Sequence, residues 1–213
     1  MKNLLGYLKK ILLLFSLVFL FSLFNTQKIS AQQLNVQSSF QHYWDGETVN
    51  TTVLLTFQTN DSPVVITYYT VTIPDTEISP EILSISRNKE LEFTIHKKEY
   101  STDLVIDLEE TPVYPDKPAV IKITYSKKLS GNTISLLSQI KNTQTKEFSL
   151  TYPSSLGNIS WSSATILEIK SVENKIKVTT EIPITEYVKV TFGENIIYSY
   201  VIKKNLLNAG DKM

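Results

Sequence analysis

LNVQSSFQHYWDGETVNTTVLLTFQ, residues 34–58, is the stretch whose reading decides the fold class. Leu34, Val36 and Ser38 alternate with polar neighbours, and Phe40-Gln41-His42-Tyr43-Trp44 continues the run. Asp45-Gly46 interrupts it, and Val49, Thr51, Val53, Leu55 and Phe57 then fall on one side of a second run. A period of two places alternate side chains on opposite faces of a pleated strand. Asp-Gly between two such runs is a strong hairpin signal, because a type I′ turn needs positive φ at both central residues. The stretch therefore predicts two antiparallel strands joined at Asp45-Gly46.

Working outward, the same vocabulary of Thr, Val, Ile, Tyr and Phe continues, the residues that suit a half-buried pleated surface. Asn60-Asp61-Ser62-Pro63 makes the next turn, and residues 64–73 form a strand stopped by Pro74. Further strands are expected at 82–86, 91–96, 104–108, 119–125, 146–152, 166–172, 175–182, 187–192 and 196–203. Residues 133–140 fit a helical turn or an irregular strand equally well. Residues 109–118, with Pro112, Pro115 and Pro118, suit an extended connector and mark a sub-boundary. More than ten short strands, with no long helical pattern after Gln32, predict an all-β chain. The expected architecture is an antiparallel β-sandwich, immunoglobulin-like, as one large unit or two small ones.

The N-terminus reads differently. Met1-Lys2-Asn3, then Lys9 and Lys10, precede an uncharged apolar run from Ile11 to Phe24. Ile29 and Ala31 stand at −3 and −1 of a cut before Gln32, so residues 1–31 read as a signal peptide. The alternative is a retained anchor, for which the run is short against the roughly 20 residues of a membrane span. Residues 32–205 then form the β-sandwich region and 206–213 a tail. The first 31 residues carry four lysines and no acid, leaving 21 − 4 = 17 basic against 21 acidic residues, a net of −4. That balance gives no electrostatic footprint for nucleic acid and no basic patch for a membrane surface. The chain has no cysteine, which removes disulfides, thiolate metal sites and a cysteine nucleophile from consideration.

Few residues offer chemistry. His42 and His96 lack ligand spacing and are expected at a surface or sheet edge. Ser154-Ser155 and Ser160, Ser162 and Ser163 around Trp161 stand without a nucleophile elbow, and read as loops between strands. Glu109-Glu110 with Asp107 and Asp116 raise an acidic pair or a calcium loop, but the required Asp/Asn spacing is absent. No catalytic, cofactor-binding or metal-ligating residue is therefore assigned. Tyr43, Trp44 and Trp161 stand near predicted turns and are the candidate ligand-contact aromatics, suited to stacking on a sugar.

Several phrases together carry a resemblance. Residues 40–49 (FQHYWDGETV), 54–60 (LLTFQTN), 122–125 (KITY), 150–157 (LTYPSSLG), 190–195 (VTFGEN) and 198–200 (YSY) resemble, in order, the N-terminal region of bacterial transglutaminase-like membrane proteins. The resemblance implies a signal segment, then a β-sandwich region, then a papain-like domain and often a C-terminal membrane helix. The activity of such proteins needs a Cys-His-Asp triad, and a chain without cysteine offers no position for its nucleophile. The last residues, 205–213, follow a predicted strand where such a protein would continue. The expectation is a truncated product or a stand-alone version of the accessory region.

The sequence thus predicts a non-enzymatic, secreted or extracytoplasmic module of the cell envelope, without cofactor. It would contact a protein partner or adjacent domain, and would meet the membrane only through an uncleaved N-terminal segment. A carbohydrate-binding or adhesive module is the alternative, and a fragment of a larger transglutaminase-like enzyme is a third. N-terminal sequencing of exported protein is expected to begin at Gln32; protein in a membrane pellet that still begins at Met1 would identify an anchor instead.

Overall fold

The alternation in residues 34–58 translates directly into register. The computed structural model describes residues 34–129 and 131–193. The expected signal segment, the strand expected at 196–203 and the tail 206–213 lie outside the described residues. Strands β1 (Leu34–Trp44) and β2 (Thr48–Thr59) pair antiparallel from Leu34↔Thr59 to Trp44↔Val49. That register puts Val36, Ser38, Phe40, His42 and Trp44 on the same face as Phe57, Leu55, Val53, Thr51 and Val49. All ten are buried.

The chain is all-β. The remaining strands are β3 (Val64–Ile73), β4 (Glu81–Ser84), β5 (Lys89–Glu90), β6 (Phe93–Lys97), β7 (Thr102–Val113) and β8 (Ala119–Lys128). They are followed by β9 (Thr133–Leu137), β10 (Gln144–Pro153), β11 (Asn158–Ser162), β12 (Ile166–Val172), β13 (Lys175–Thr180) and β14 (Tyr187–Gly193). One sheet has eight strands in the order β12-β13-β10-β1-β2-β8-β4-β5, and two three-stranded sheets have the orders β11-β14-β9 and β3-β7-β6. Pairing is antiparallel except between β1 and β10, which run parallel.

Both small sheets cover the same face of the large one. Trp44 on β1 and Tyr152 on β10 pack against Phe192 of β14, with ring centroids 4.4 and 4.9 Å apart. Phe57 on β2 meets Tyr69 of β3 edge-on at 4.9 Å. Phe40, Leu55, Ile121, Ile123, Phe148 and Leu150 complete the face beneath them. Burial of this continuous apolar face is the main favourable term in a chain that has no disulfide to rely on.

Three expectations about strands and turns differ from the structure. Residues 109–113 stay within β7, paired with β3 as far as Val64↔Val113, so only residues 114–118 cross from one sheet to the next. Pro112 is tolerated there because β6 pairs only with residues 102–106 of β7, which leaves that side of Pro112 as a free edge. Ser160, Trp161 and Ser162 belong to strand β11 rather than to a loop. Serine has little intrinsic strand preference, and pairing with β14 overrides it.

The first turn is also of another type. Asp45, Gly46 and Glu47 form a three-residue loop in which positive φ occurs at Gly46 (110°) and not at Asp45. Asp45 acts through its side chain instead: Oδ1 accepts from the backbone N–H groups of Thr48 at 2.7 Å and Glu47 at 2.9 Å. Those two donors, Thr48 first, hold the Asp45 carboxyl below the usual carboxylate range.

A side chain at position 46 would meet Leu156 Cδ2 at 3.1 Å from its Cβ, on a backbone at φ +110°. Gly46→Ala is expected to cost about 1–3 kcal/mol in urea unfolding. Gly46→Asn should cost as much, because asparagine is tolerated near φ of about +57° and not far beyond it. An asparagine variant as stable as the parent would show that the loop relaxes to a true type I′ turn.

Candidate functional site

The three candidate aromatics do not come together. Trp44 is on the inward face of β1, 4% exposed, and its Nε1–H has no hydrogen-bond partner among the described residues. Tyr43, one residue earlier, lies on the opposite face of the large sheet, and Lys175 Nζ sits 5.1 Å from its ring centroid. Trp161 is 49% exposed on β11, beside Thr191 of β14. One faces the core, one the outer surface of the large sheet and one the β11-β14-β9 sheet. They make no common stacking platform, because period-two alternation separates neighbours and topology separates the rest.

Trp44 also forms part of the wall of an open cleft of ≈ 630 Å³ beside the first hairpin, with Gly46, Asn132, Leu156, Phe192 and Gly193. Among the described residues its lining includes no ionisable side chain. The described lining can offer amides, a serine hydroxyl and backbone groups to a neutral molecule.

His42, expected at a surface, is a core residue at 3% exposure. It sits between Phe40, stacked at 6.4 Å, and Phe148, tilted at 5.2 Å. Its Nε2 is 2.8 Å from the Leu137 carbonyl and its Nδ1 is 3.0 Å from Thr51 Oγ1. A carbonyl can only accept, so Nε2 carries the proton and donates to Leu137 O, while Nδ1 accepts from the Thr51 hydroxyl. The neutral ring is therefore satisfied and links β1, β2 and β9 across two sheets. A signal for this was available, since His42 falls midway between Phe40 and Trp44 on the inward alternation.

The other chemistry-bearing groups are structural or solvated. His96 is exposed on β6 beside Asp103, far in the topology from His42. Glu109 is held between Lys89 at 2.7 Å and Arg87 at 3.4 Å, and these cations, Lys89 first, keep its carboxyl below the usual range. Ser160 Oγ donates to Thr191 O at 3.2 Å, and the hydroxyls of Ser162 and Ser163 accept from Ala164 N and Lys189 N. Among the described residues no three His, Asp or Glu side chains gather as a metal site would require.

The feature that sequence reading missed is an apolar edge. Among the described residues β12 is the outermost strand of the large sheet, and six of its seven residues are exposed. Leu167, Ile169 and Val172 stand 58–62% exposed on it. Ile182 and Ile184 lie in the loop after β13, tied to the start of β12 by a 2.8 Å bond from Glu181 N to Thr165 O. A strand's place in the sheet order depends on long-range pairing, so periodicity within 166–172 could not reveal it.

No protein-family model matches the chain, and no curated protein is significantly similar to it. Among solved structures it is similar to an M1 zinc metallopeptidase from Deinococcus radiodurans with a Tyr-Ser-Ala substrate bound: 10% identity over 74% of this chain and 42% of that one, TM-score 0.49. A further structure of that peptidase gives 11%, 75%, 43% and 0.47. Native yeast LTA4 hydrolase gives 12%, 75%, 29% and 0.44. The chain spans less than half the length of these proteins. Likeness at this level says nothing about activity.

Burial lowers the imidazole of His42 from its ordinary 6.5 to about 4, against the opposing pull of the Leu137 hydrogen bond. The unfolded chain therefore binds a proton that the folded chain refuses, and stability falls as pH drops from 6.5 towards 4. The expected loss is about 3 kcal/mol across that window, with a slope approaching about 1.4 kcal/mol per pH unit. Urea unfolding between pH 7 and 5, where carboxylates remain ionised, isolates it. A His42→Asn variant should be less stable overall and lack this slope; a parent profile flat over the same range would show that His42 is not buried neutral.

Proposed function

We propose that this chain is a non-enzymatic, extracytoplasmic β-sandwich module of the cell envelope, acting through its surface on a protein partner or adjoining domain. The observation that supports this most is the distribution of exposed apolar side chains. Five of the twelve large hydrophobics that are exposed among the described residues (Leu167, Ile169, Val172, Ile182 and Ile184) fall within one stretch of 18 residues. Isolated apolar residues on a surface need no explanation, but a concentration on one edge and its adjoining loop marks an interaction site. Ile184, at 92% exposure, has no packing role of its own. The leader-like N-terminus supplies the compartment. The ordered phrases resembling transglutaminase-like proteins are compatible with an adjoining domain as occupant, but the proposal does not depend on them.

The absence of cysteine makes a direct test simple, since a single introduced thiol is the only one present. Thr70→Cys, on an exposed position of β3, reports the compartment, and Ile184→Cys reports coverage. With a membrane-impermeant maleimide, both are expected to label in purified protein. On intact cells stripped of their outer barrier, Thr70→Cys should label and Ile184→Cys should be protected. No labelling at position 70 would place the chain inside; equal labelling at both would leave the edge uncovered and the proposal without its site.

A further inference from the structure

We infer that the occupant of the β12 edge is a second copy of this chain, bound strand to strand about a two-fold axis through Ile169. The inference deepens the reading above by naming the partner, and rests on it. A free edge strand presents unpaired backbone N–H and C=O groups, and proteins guard such edges with charges, prolines, bulges or short length. β12 has seven residues and no proline, its one register shift lies at its start between Ile166 and Glu168, and the outer side of Glu168–Val172 has no paired strand among the described residues.

Its one cation in position to guard it is Lys170, and Glu168 stands two residues earlier on the same face, with Nζ and Oε2 3.0 Å apart. In an antiparallel pair of identical strands centred on Ile169, Glu168 of each copy lies opposite Lys170 of the other. The guard thereby becomes a register key, attractive at both symmetric positions and repulsive in a register shifted to bring like residues together. The same operation sets Ile169 against Ile169 on the inner face, within the part of β12 that follows its register shift between Ile166 and Glu168. Ile169 pairs with the buried Val178 of β13, so its side chain lies on the inner face of the large sheet, yet it is 62% exposed. A second sheet edge would extend that face and bury it. Glu168 and Lys170 are 51% and 62% exposed as side chains, and both are available for exchange between copies.

The test uses the full chain. Sedimentation should give a dimer. Lys170→Glu sets Glu against Glu twice, Glu168→Lys sets Lys against Lys twice, and each alone should weaken self-association by about tenfold or more. Mixing the two variants should restore dimers as a heterodimer, and the double swap Glu168→Lys/Lys170→Glu should restore the homodimer. These rescues separate a charge key from mere misfolding. In this cysteine-free chain, Ile169→Cys should form a symmetric disulfide on mild oxidation, because paired strands bring opposed Cα atoms to about 4.5–5.5 Å. Val172→Cys should not, its copies lying about 20 Å apart along the strands. A monomer at every concentration, or a dimer indifferent to both charge reversals, overturns the inference. So does a chain that is monomeric in full and dimerises once residues 194–213 are removed, which would assign the edge to the chain's own following segment. If the chain is monomeric while Ile184→Cys stays protected in the envelope, the surface-contact reading stands and only the second copy falls.

Discussion

Strand β1 is the constraint on which the rest of the structure depends. It pairs antiparallel with β2 on one side and parallel with β10 on the other. Every second residue from Val36 to Trp44 therefore faces the same interior, whichever neighbour is considered. A shift of one residue in either ladder would turn Phe40, His42 and Trp44 out to solvent and bring Gln41 and Tyr43 inward. Apolar burial on this single face specifies register, and both small sheets are recruited to cover it.

Within that face His42 supplies direction where hydrophobic burial supplies none. Apolar contacts tolerate rotation and sliding, but an imidazole fixed by Thr51 on its own sheet and by the Leu137 carbonyl on β9 tolerates little of either. The small sheet is further tied by Tyr187, whose hydroxyl donates to Pro74 O at 2.7 Å at the end of β3. Burial holds that phenol at about 12, so it remains a donor at any ordinary pH. Polar ties of this kind gain little net stability but penalise every alternative packing that leaves a buried partner unpaired.

The outer surface follows different rules at its two ends. At one end of the large sheet the edge strand β5 has only two residues, both exposed and both charged, a form that discourages pairing. At the other end β12 is longer and apolar, with a Glu–Ile–Lys centre that is complementary to itself. The two edges thus differ in how far they discourage pairing with another strand. Trp44 stands apart from this logic: its indole N–H is buried without a partner among the described residues, which is costly, and it borders an open cleft beside the first hairpin.

How much of this was legible depended on range. The all-β class, the first hairpin, the strand at 64–73 ended by Pro74 and the strand at 166–172 follow from local alternation and turn chemistry, which act between residues close in sequence. Even the core position of His42 was implicit in its phase with Phe40 and Trp44. The parallel pairing of β1 with β10, the strand at Ser160–Ser162, the scattering of Tyr43, Trp44 and Trp161 onto three surfaces, and the exposure of β12 were not. Each of these depends on which distant segments become neighbours, and a strand's own pattern carries only its two faces, not the partners at its two edges. The sequence by itself determined that this chain would fold as packed sheets around an inward alternation; the tertiary structure alone decided the order of the strands within each sheet, because sheet order is set by global burial rather than by any local preference.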